Sequence, residues 1–338
     1  MLRAVDGVSF RLAAGEVLGL VGESGCGKTS VARCVAGLLT PVAGAIRLDG
    51  ADLAARRTVE QCRAIQMVFQ DPYSSLNPRM TVRHVLRELT RVHELVPASG
   101  IEDRCRELMG LVGLPAAALD GLPSQFSGGQ RQRIAIARAL AVEPRVLVAD
   151  EPVSSLDVSV QATILRLFED LRARLGLTVI LISHNLAVVR HLSDQVAVMY
   201  LGRIVEQGGR DGLFASARHP YTQALLAAAP RLHQRQLIRL QVKGEPPSPV
   251  DLPQGCRFHP RCPMAAEICV LQDPLQRPVR EGDDHVVSCH FGTIRRARSR
   301  SARQGYAAAE PAKPMSGTTR ASIQLGPARM GLTDSDSW

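Results

Sequence analysis

The sequence predicts an α/β fold built on a parallel sheet, with a helical segment inserted in its middle and a cysteine-bearing extension after it. Three observations carry this expectation. An apolar run, Val17-Leu18-Gly19-Leu20-Val21, passes directly into Gly22-Glu23-Ser24-Gly25-Cys26-Gly27-Lys28-Thr29 and then into a helical pattern. A second apolar run, Val146-Leu147-Val148-Ala149, ends in the paired acids Asp150-Glu151. Between them, from Tyr73 to about Val142, strand signals vanish and Val, Leu and Met recur at helical spacing. Short apolar runs separated by helices mark a parallel sheet covered on both faces.

Residues 4–12 alternate apolar and polar, the pattern of a half-buried strand, and a Gly15-Glu16 turn leads into the run at 17–21. Gly22–Thr29 then fits G-x-x-x-x-G-K-[ST] in the strand-before, helix-after context that this motif requires. Its glycines let successive backbone N–H groups point inward at a helix N-terminus and cradle phosphates. Lys28 is expected on the β- and γ-phosphates of a nucleoside triphosphate, and the Thr29 hydroxyl on Mg²⁺, with Ser30 closing the loop. Residues 29–38 read as a helix stopped by Gly37 and Pro41. Residues 45–49 and 64–69 read as strands, with Gln70 closing the second.

Residues 81–95 and 101–112 have helical spacing, and the helical stretch 134–140 is preceded by Ser127-Gly128-Gly129-Gln130. That glycine pair is a second candidate anion site. Asp150 and Glu151 are expected at the carboxyl end of a buried parallel strand, where open α/β sheets bind ligands. Asp150 would hold Mg²⁺ and Glu151 would be the general base for an attacking water. Ser155-Leu156-Asp157 precedes a helix over 159–175. Thr178–Ile182 is another strand, and His184 at its carboxyl end is expected to touch the γ-phosphate. Two short strands over 194–208 complete the pattern.

Composition narrows the class. Apolar residues make up 45% of the chain, enough for a sizeable core, while aromatics at 4% are too sparse for stacking platforms on single-stranded nucleic acid. The formal charge is +9, but residues 293–338 hold eight Lys/Arg against three Asp/Glu, so over half of it sits in the tail. No apolar run approaches the ~18–20 residues of a membrane span, and the N-terminus lacks a signal-peptide core. The expectation is a cytosolic protein that binds no nucleic acid and can dock on a membrane partner. In such a compartment eight cysteines point to metal or redox roles rather than disulfides.

Together these residues resemble the ATP-binding subunits of ABC transporters over roughly residues 1–230. The resemblance implies a P-loop NTPase core, with a RecA-like parallel sheet and an antiparallel β subdomain, formed by 1–72 and 143–232. It further implies a helical subdomain at 73–142. In its terms Gly22–Thr29 is Walker A, Gln70 the Q-loop glutamine and a further Mg²⁺ contact, and Ser127-Gly128-Gly129-Gln130 the signature. Val146–Asp150 is Walker B with catalytic Glu151, Asp157 lies in the D-loop, and His184 is the switch histidine. The signature of one subunit would then cover the ATP bound by a second ATPase subunit.

Beyond about residue 218 the chain is similar to the oligopeptide/dipeptide importer branch, through His219–Leu226, Gly244–Pro249 and Gly255–Pro263, and through Phe69–Pro78 around Gln70. This implies two transmembrane permeases, an extracytoplasmic substrate-binding protein and a place on the cytoplasmic face of the inner membrane. Substrates of the branch include peptides, nickel chelates and glutathione. Cys256, Cys262, Cys269 and Cys289 lie within a C-terminal extension, 233–292, and lack the C-x2-C pair of a zinc ribbon. Four thiolates suit a [4Fe–4S] cluster, which some relatives of this type are understood to carry, and the alternative is four thiols in a proline-rich cap.

Cys26 is either a reactive thiol at a helix N-terminus or a filler of a tolerant position, and Cys34, Cys62 and Cys105 are expected to be buried. An adenine-stacking aromatic, usual in the family about two dozen residues before Walker A, has no counterpart here, leaving Val5 as an apolar neighbour. Either the natural start lies upstream or ATP binding is weaker, by ~1–3 kcal/mol. Asn185 stands where the branch commonly has Asp, with little effect expected. The tail, 293–338, reads as disordered and its Arg-rich run as solvated. Two other readings stand beside the importer: a catalytically weak partner in an asymmetric pair, and a soluble ABC ATPase not coupled to transport.

Overall fold

The computed structural model describes residues 2–228, 242, 244–292 and 323–332. Strand β1 (Leu2–Leu12) leads to β2 (Val17–Val21), helix α1 (Lys28–Val35), and strands β3 (Ile46–Leu48) and β4 (Ala51–Asp52). Helix α2 (Val59–Ala64) precedes β5 (Ile65–Val68). The inserted helices are α3 (Pro72–Ser75), α4 (Val82–Val92), α5 (Ile101–Leu111) and α6 (Gly128–Leu140). Strand β6 (Val146–Asp150), α7 (Val158–Leu175), β7 (Thr178–Ile182), α8 (Leu186–Leu192), β8 (Gln195–Tyr200) and β9 (Arg203–Gly209) follow. The chain continues with α9 (Arg210–Ala215), α10 (Pro220–Ala228), α11 (Glu267–Leu271), β10 (Arg277–Pro278), β11 (Val286–Val287) and β12 (Ile323–Leu332).

An eight-stranded sheet in the order β10-β11-β9-β8-β2-β7-β6-β5 forms the centre, parallel from β8 to β5. Alternation assigns its two faces. Val146, Val148, Ile180 and Ile182 join α1 and the antiparallel strands in one apolar cluster. Leu147, Ala149, Val179 and Leu181 join α4–α8 in the other. Strands buried on both faces read as unbroken apolar runs, which is why β2, β6 and β7 are legible from sequence. Because all three are parallel, the segments that leave their carboxyl ends meet at one edge.

The extension packs on the core: β11 pairs antiparallel with β9, and Phe258 buries itself with Tyr200 and Tyr221. One feature departs from expectation. Within the expected disordered tail, β12 lies between β1 and β3 in a second sheet, order β1-β12-β3-β4. Ile323 and Leu325 are buried there among Phe10, Leu12, Ile46 and Leu48. The rest of that tail, including its Arg-rich run, lies outside the described residues.

Candidate active site

The loop after β2 turns on glycines that no other residue could replace. Gly27 has φ 104°, and a Cβ there would lie 2.2 Å from the Ala4 carbonyl oxygen. A Cβ on Gly22 would meet the Met199 carbonyl oxygen at 2.2 Å. With Gly27 at its N-cap, α1 starts at Lys28 without a side-chain cap, so its first N–H groups face the loop. Lys28 is 6% exposed, and its Nζ donates to the Gly22 carbonyl at 2.8 Å and the Glu23 carbonyl at 2.9 Å. The ammonium therefore rests on the loop's own oxygens, on the rim of the cradle.

Thr29 reaches β6, its Oγ1 donating to Asp150 Oδ1 at 3.4 Å. Burial raises the pKa of Asp150 above the usual carboxylate range, against the lowering effect of that hydrogen bond. A buried carboxylate beside a hydroxyl suits a divalent cation, whose charge would reverse the burial penalty. Next along the chain, Glu151 adopts φ 46°, and its N–H donates to the Ile182 carbonyl at 2.9 Å. Its Oε2 accepts from Gln70 Nε2 at 3.1 Å and lies 3.3 Å from His184 Nδ1. Gln70 and His184, beyond the ends of β5 and β7 and far apart in sequence, thus converge on one carboxylate oxygen of Glu151 at the end of β6.

Ser127 to Gln130 do not join this group. They open α6 as a closed capping box: Ser127 Oγ accepts from the Gln130 N–H at 3.3 Å, and Gln130 Oε1 accepts from the Ser127 N–H at 2.9 Å. The glycines between them fit against α7 and the turn before it, where a Cβ on Gly129 would strike Val160 Cγ1 at 2.5 Å. Asp157 is the N-cap residue of α7 but makes no side-chain cap bond.

Comparison with known proteins supplies the family. The chain is 48% identical over 294 residues to a probable peptide ABC transporter ATP-binding protein, y4tS, of Sinorhizobium fredii, covering 86% of this chain and 83% of that one. It is 46% identical to the oligopeptide transport ATP-binding proteins AppF of Bacillus subtilis and OppF of Salmonella typhimurium. Those matches cover 86% and 85% of this chain, and 90% and 87% of theirs. The chain belongs to the ATP-binding proteins of ABC transporters. The model of the ABC transporter family matches residues 5–154, and that of the oligopeptide/dipeptide transporter C-terminal region matches residues 205–269. Among solved structures it is similar to cbiO1 of Clostridium perfringens, part of an ABC transporter complex. There the TM-score is 0.58 at 30% identity, over 63% of this chain and 84% of that one.

In this ABC protein the structure bears on several smaller expectations. Val5, on β1 of the antiparallel sheet, is wholly buried and offers no surface to an adenine. Cys26 is buried, and burial raises its thiol pKa against the lowering influence of Lys28, so it is no activated thiolate. Cys34 and Cys105 are buried as expected, but Cys62 is exposed on α2. Asn185 caps α8, its Oδ1 accepting from the Ala187 N–H at 2.9 Å.

The four extension cysteines line one cavity of about 140 Å³ together with His259 and His290, and all four are free thiols. Burial pushes Cys256 up to about 11 and raises Cys262 and Cys289 as well, the neighbouring thiols adding to each effect. As they stand, no three His, Cys, Asp or Glu among the described residues are grouped closely enough to hold a metal ion. Two residues outside the expected set touch the phosphate loop: Tyr221 accepts from the Glu23 N–H at 2.8 Å, and Arg261 pairs with the Glu23 carboxylate at 2.8 Å. Both lie in stretches that resemble the importer branch, His219–Leu226 and Gly255–Pro263, but nothing in the sequence places either beside the loop.

Proposed function

We propose that this chain is the ATP-hydrolysing subunit of an importer for peptides or related small solutes. The observation that supports it most is the meeting of Lys28, the Thr29–Asp150 pair and the Gln70–Glu151–His184 group at one sheet edge. Phosphates of ATP would take the inward N–H groups of Gly25–Thr29, and Lys28 would exchange the loop carbonyls for phosphate oxygens. Thr29, Asp150 and Gln70 would hold Mg²⁺, whose charge would neutralise that developing on the phosphate oxygens. Glu151 Oε2 takes a proton from water as its oxygen attacks the γ-phosphorus, and the bond from that phosphorus to the bridging oxygen breaks, releasing ADP and phosphate. Gln70 and His184 aim that carboxylate oxygen, and His184, being largely exposed, can turn to the γ-phosphate.

The site holds only one wall for the nucleotide, since Ser127, Gly128, Gly129 and Gln130 belong to another surface. In this reading they cover the ATP of a second ATPase subunit, with Asp157 beside them. The oligopeptide/dipeptide C-terminal region supports two permeases and an extracytoplasmic binding protein as further partners, and the cytoplasmic face of the inner membrane as the location. It also favours the importer over a cassette uncoupled from transport. Among the described residues no helix is long and apolar enough to cross a membrane, so passage is left to partners.

Turnover of the full chain assembled with its permeases tests the reading. Glu151→Gln should lower kcat by ~10²–10³-fold while ATP remains bound in a closed pair, and near-normal hydrolysis would refute it. Cys256, Cys262, Cys269 and Cys289 would be the thiolates that hold a [4Fe–4S] cluster. Protein purified without air should then contain iron and sulfide in equal amounts, lost in a Cys262→Ala, Cys289→Ala variant; iron-free protein from that preparation would remove the cluster.

A further inference from the structure

Glu23, the second residue of the phosphate loop, is held from outside the loop. Arg261 donates from Nη1 to Glu23 Oε2 at 2.8 Å and from Nη2 to Glu23 Oε1 at 3.1 Å, a two-point pair. The Arg261 side chain is 9% exposed and that of Glu23 30%, so water screens this pair less than an ordinary surface contact. Beneath it the Tyr221 hydroxyl, kept protonated because burial raises its pKa, accepts from the Glu23 backbone N–H at 2.8 Å. The Glu23 carbonyl in turn accepts from Lys28 Nζ at 2.9 Å. Carboxylate, N–H and carbonyl of one residue are thus all occupied, the last by the lysine that serves the nucleotide.

The holding groups stand on firm ground. Tyr200, Tyr221 and Phe258 pack ring to ring, with centroids 4.7, 5.2 and 5.5 Å apart. Arg261 lies over the Tyr200 ring, 5.8 Å from its centroid. Four residues earlier, buried Arg257 pairs with Asp6 of β1 and donates to the Leu201 carbonyl. The phosphate loop, by contrast, carries positive φ at Gly22, Gly25 and Gly27, and a Cβ on Gly25 would meet nothing within 4 Å. A glycine-rich loop of this kind loses conformational freedom when it closes on a ligand, and a loop already fixed in shape loses less.

We propose that Arg261 and Tyr221 of the C-terminal region are positioning residues for nucleotide binding. They fix Glu23 so that the loop keeps its phosphate-receiving shape and Lys28 starts from a defined place beside it. The proposal rests on the reading of Gly22–Thr29 as the nucleotide site, and it gives the extension a role in ATP affinity that the cassette core alone would lack.

Affinity of the full chain for a fluorescent ATP analogue with Mg²⁺, and KM and kcat of the assembled transporter, test it in Arg261→Ala, Glu23→Ala, the double variant, Arg261→Lys and Lys28→Ala. Arg261→Ala and Glu23→Ala should each weaken nucleotide binding and raise KM about tenfold, equivalent to about 1.4 kcal/mol, with kcat changed less than about twofold. The double variant should be no worse than either single, since both remove one interaction. Arg261→Lys keeps the charge but not the fork and should recover part of the loss. Unchanged KM in Arg261→Ala, additive losses in the double variant, or a loss matched by an equal fall in kcat would overturn the proposal. Melting temperatures close to wild type for Arg261→Lys keep the comparison independent of folding. Lys28→Ala separates the two ideas: if it binds nucleotide like wild type, the site reading fails. If it alone loses nucleotide while Arg261→Ala does not, only the positioning role fails.

Discussion

Glu151 occupies a backbone conformation that costs a non-glycine residue about 1 kcal/mol or more. The bond from its N–H to Ile182 holds that turn in place at the end of β6. The positions of Lys28, Asp150, Glu151 and His184 were readable because each stands at or just beyond the end of an apolar run that forms a buried parallel strand. Cys26 shows the opposite case. Its neighbours in sequence suggest an acidic thiol, whereas packing against Gly22 and Met199 takes it out of water and raises its pKa instead. His219 carries a prediction at this scale. Burial lowers its pKa from 6.5 to about 4, Glu206 acting in the opposite sense, while Nδ1 accepts from the Tyr221 N–H at 3.1 Å. The folded state binds fewer protons here than the unfolded state, so stability rises with pH across this window. Urea denaturation should show this contribution present above about pH 6.5 and lost progressively as pH falls toward about 4. His219→Asn should flatten that slope, and an unaltered slope would refute the assignment.

Among elements, β12 was the least legible. Its segment, Ile323–Leu332, contains Gly326, Pro327 and Gly331 and follows a stretch rich in Ser, Ala and Gly, so local composition argued against order. Pairing decides it: β1 and β3 offer hydrogen-bonding edges on either side, and Ile323 and Leu325 fill the space above α1. Burial of two such side chains contributes about 3–6 kcal/mol as an upper range. Truncation after residue 320 should therefore lower unfolding free energy in urea by a few kcal/mol, and a truncated chain as stable as the full one would show that β12 adds nothing. The inserted helices sit at the other extreme. Thr81 and Ser127 accept bonds from the N–H groups three residues on, and both caps stand where an apolar-periodic run begins.

At the scale of the whole molecule, the central sheet joins what the sequence separates. The extension adds β10 and β11 to the edge at β9, and its aromatic and arginine side chains come to rest against β1, β8 and the phosphate loop. Phe258 of the extension packs in one apolar cluster with Tyr200 of β8 and Tyr221 of α10. By itself the sequence determined the α/β class, the parallel strands, the glycine-rich turn after β2 and the acids at the end of β6. Each of these depends on local pattern: apolar runs, glycine where a Cβ would clash, acid pairs at strand ends. Tertiary structure alone decided that Gln70 and His184 share one oxygen of Glu151, that β12 fills a gap in the antiparallel sheet, and that Arg261 grips Glu23. Those outcomes depend on distances between residues remote in the chain, and no local preference encodes them.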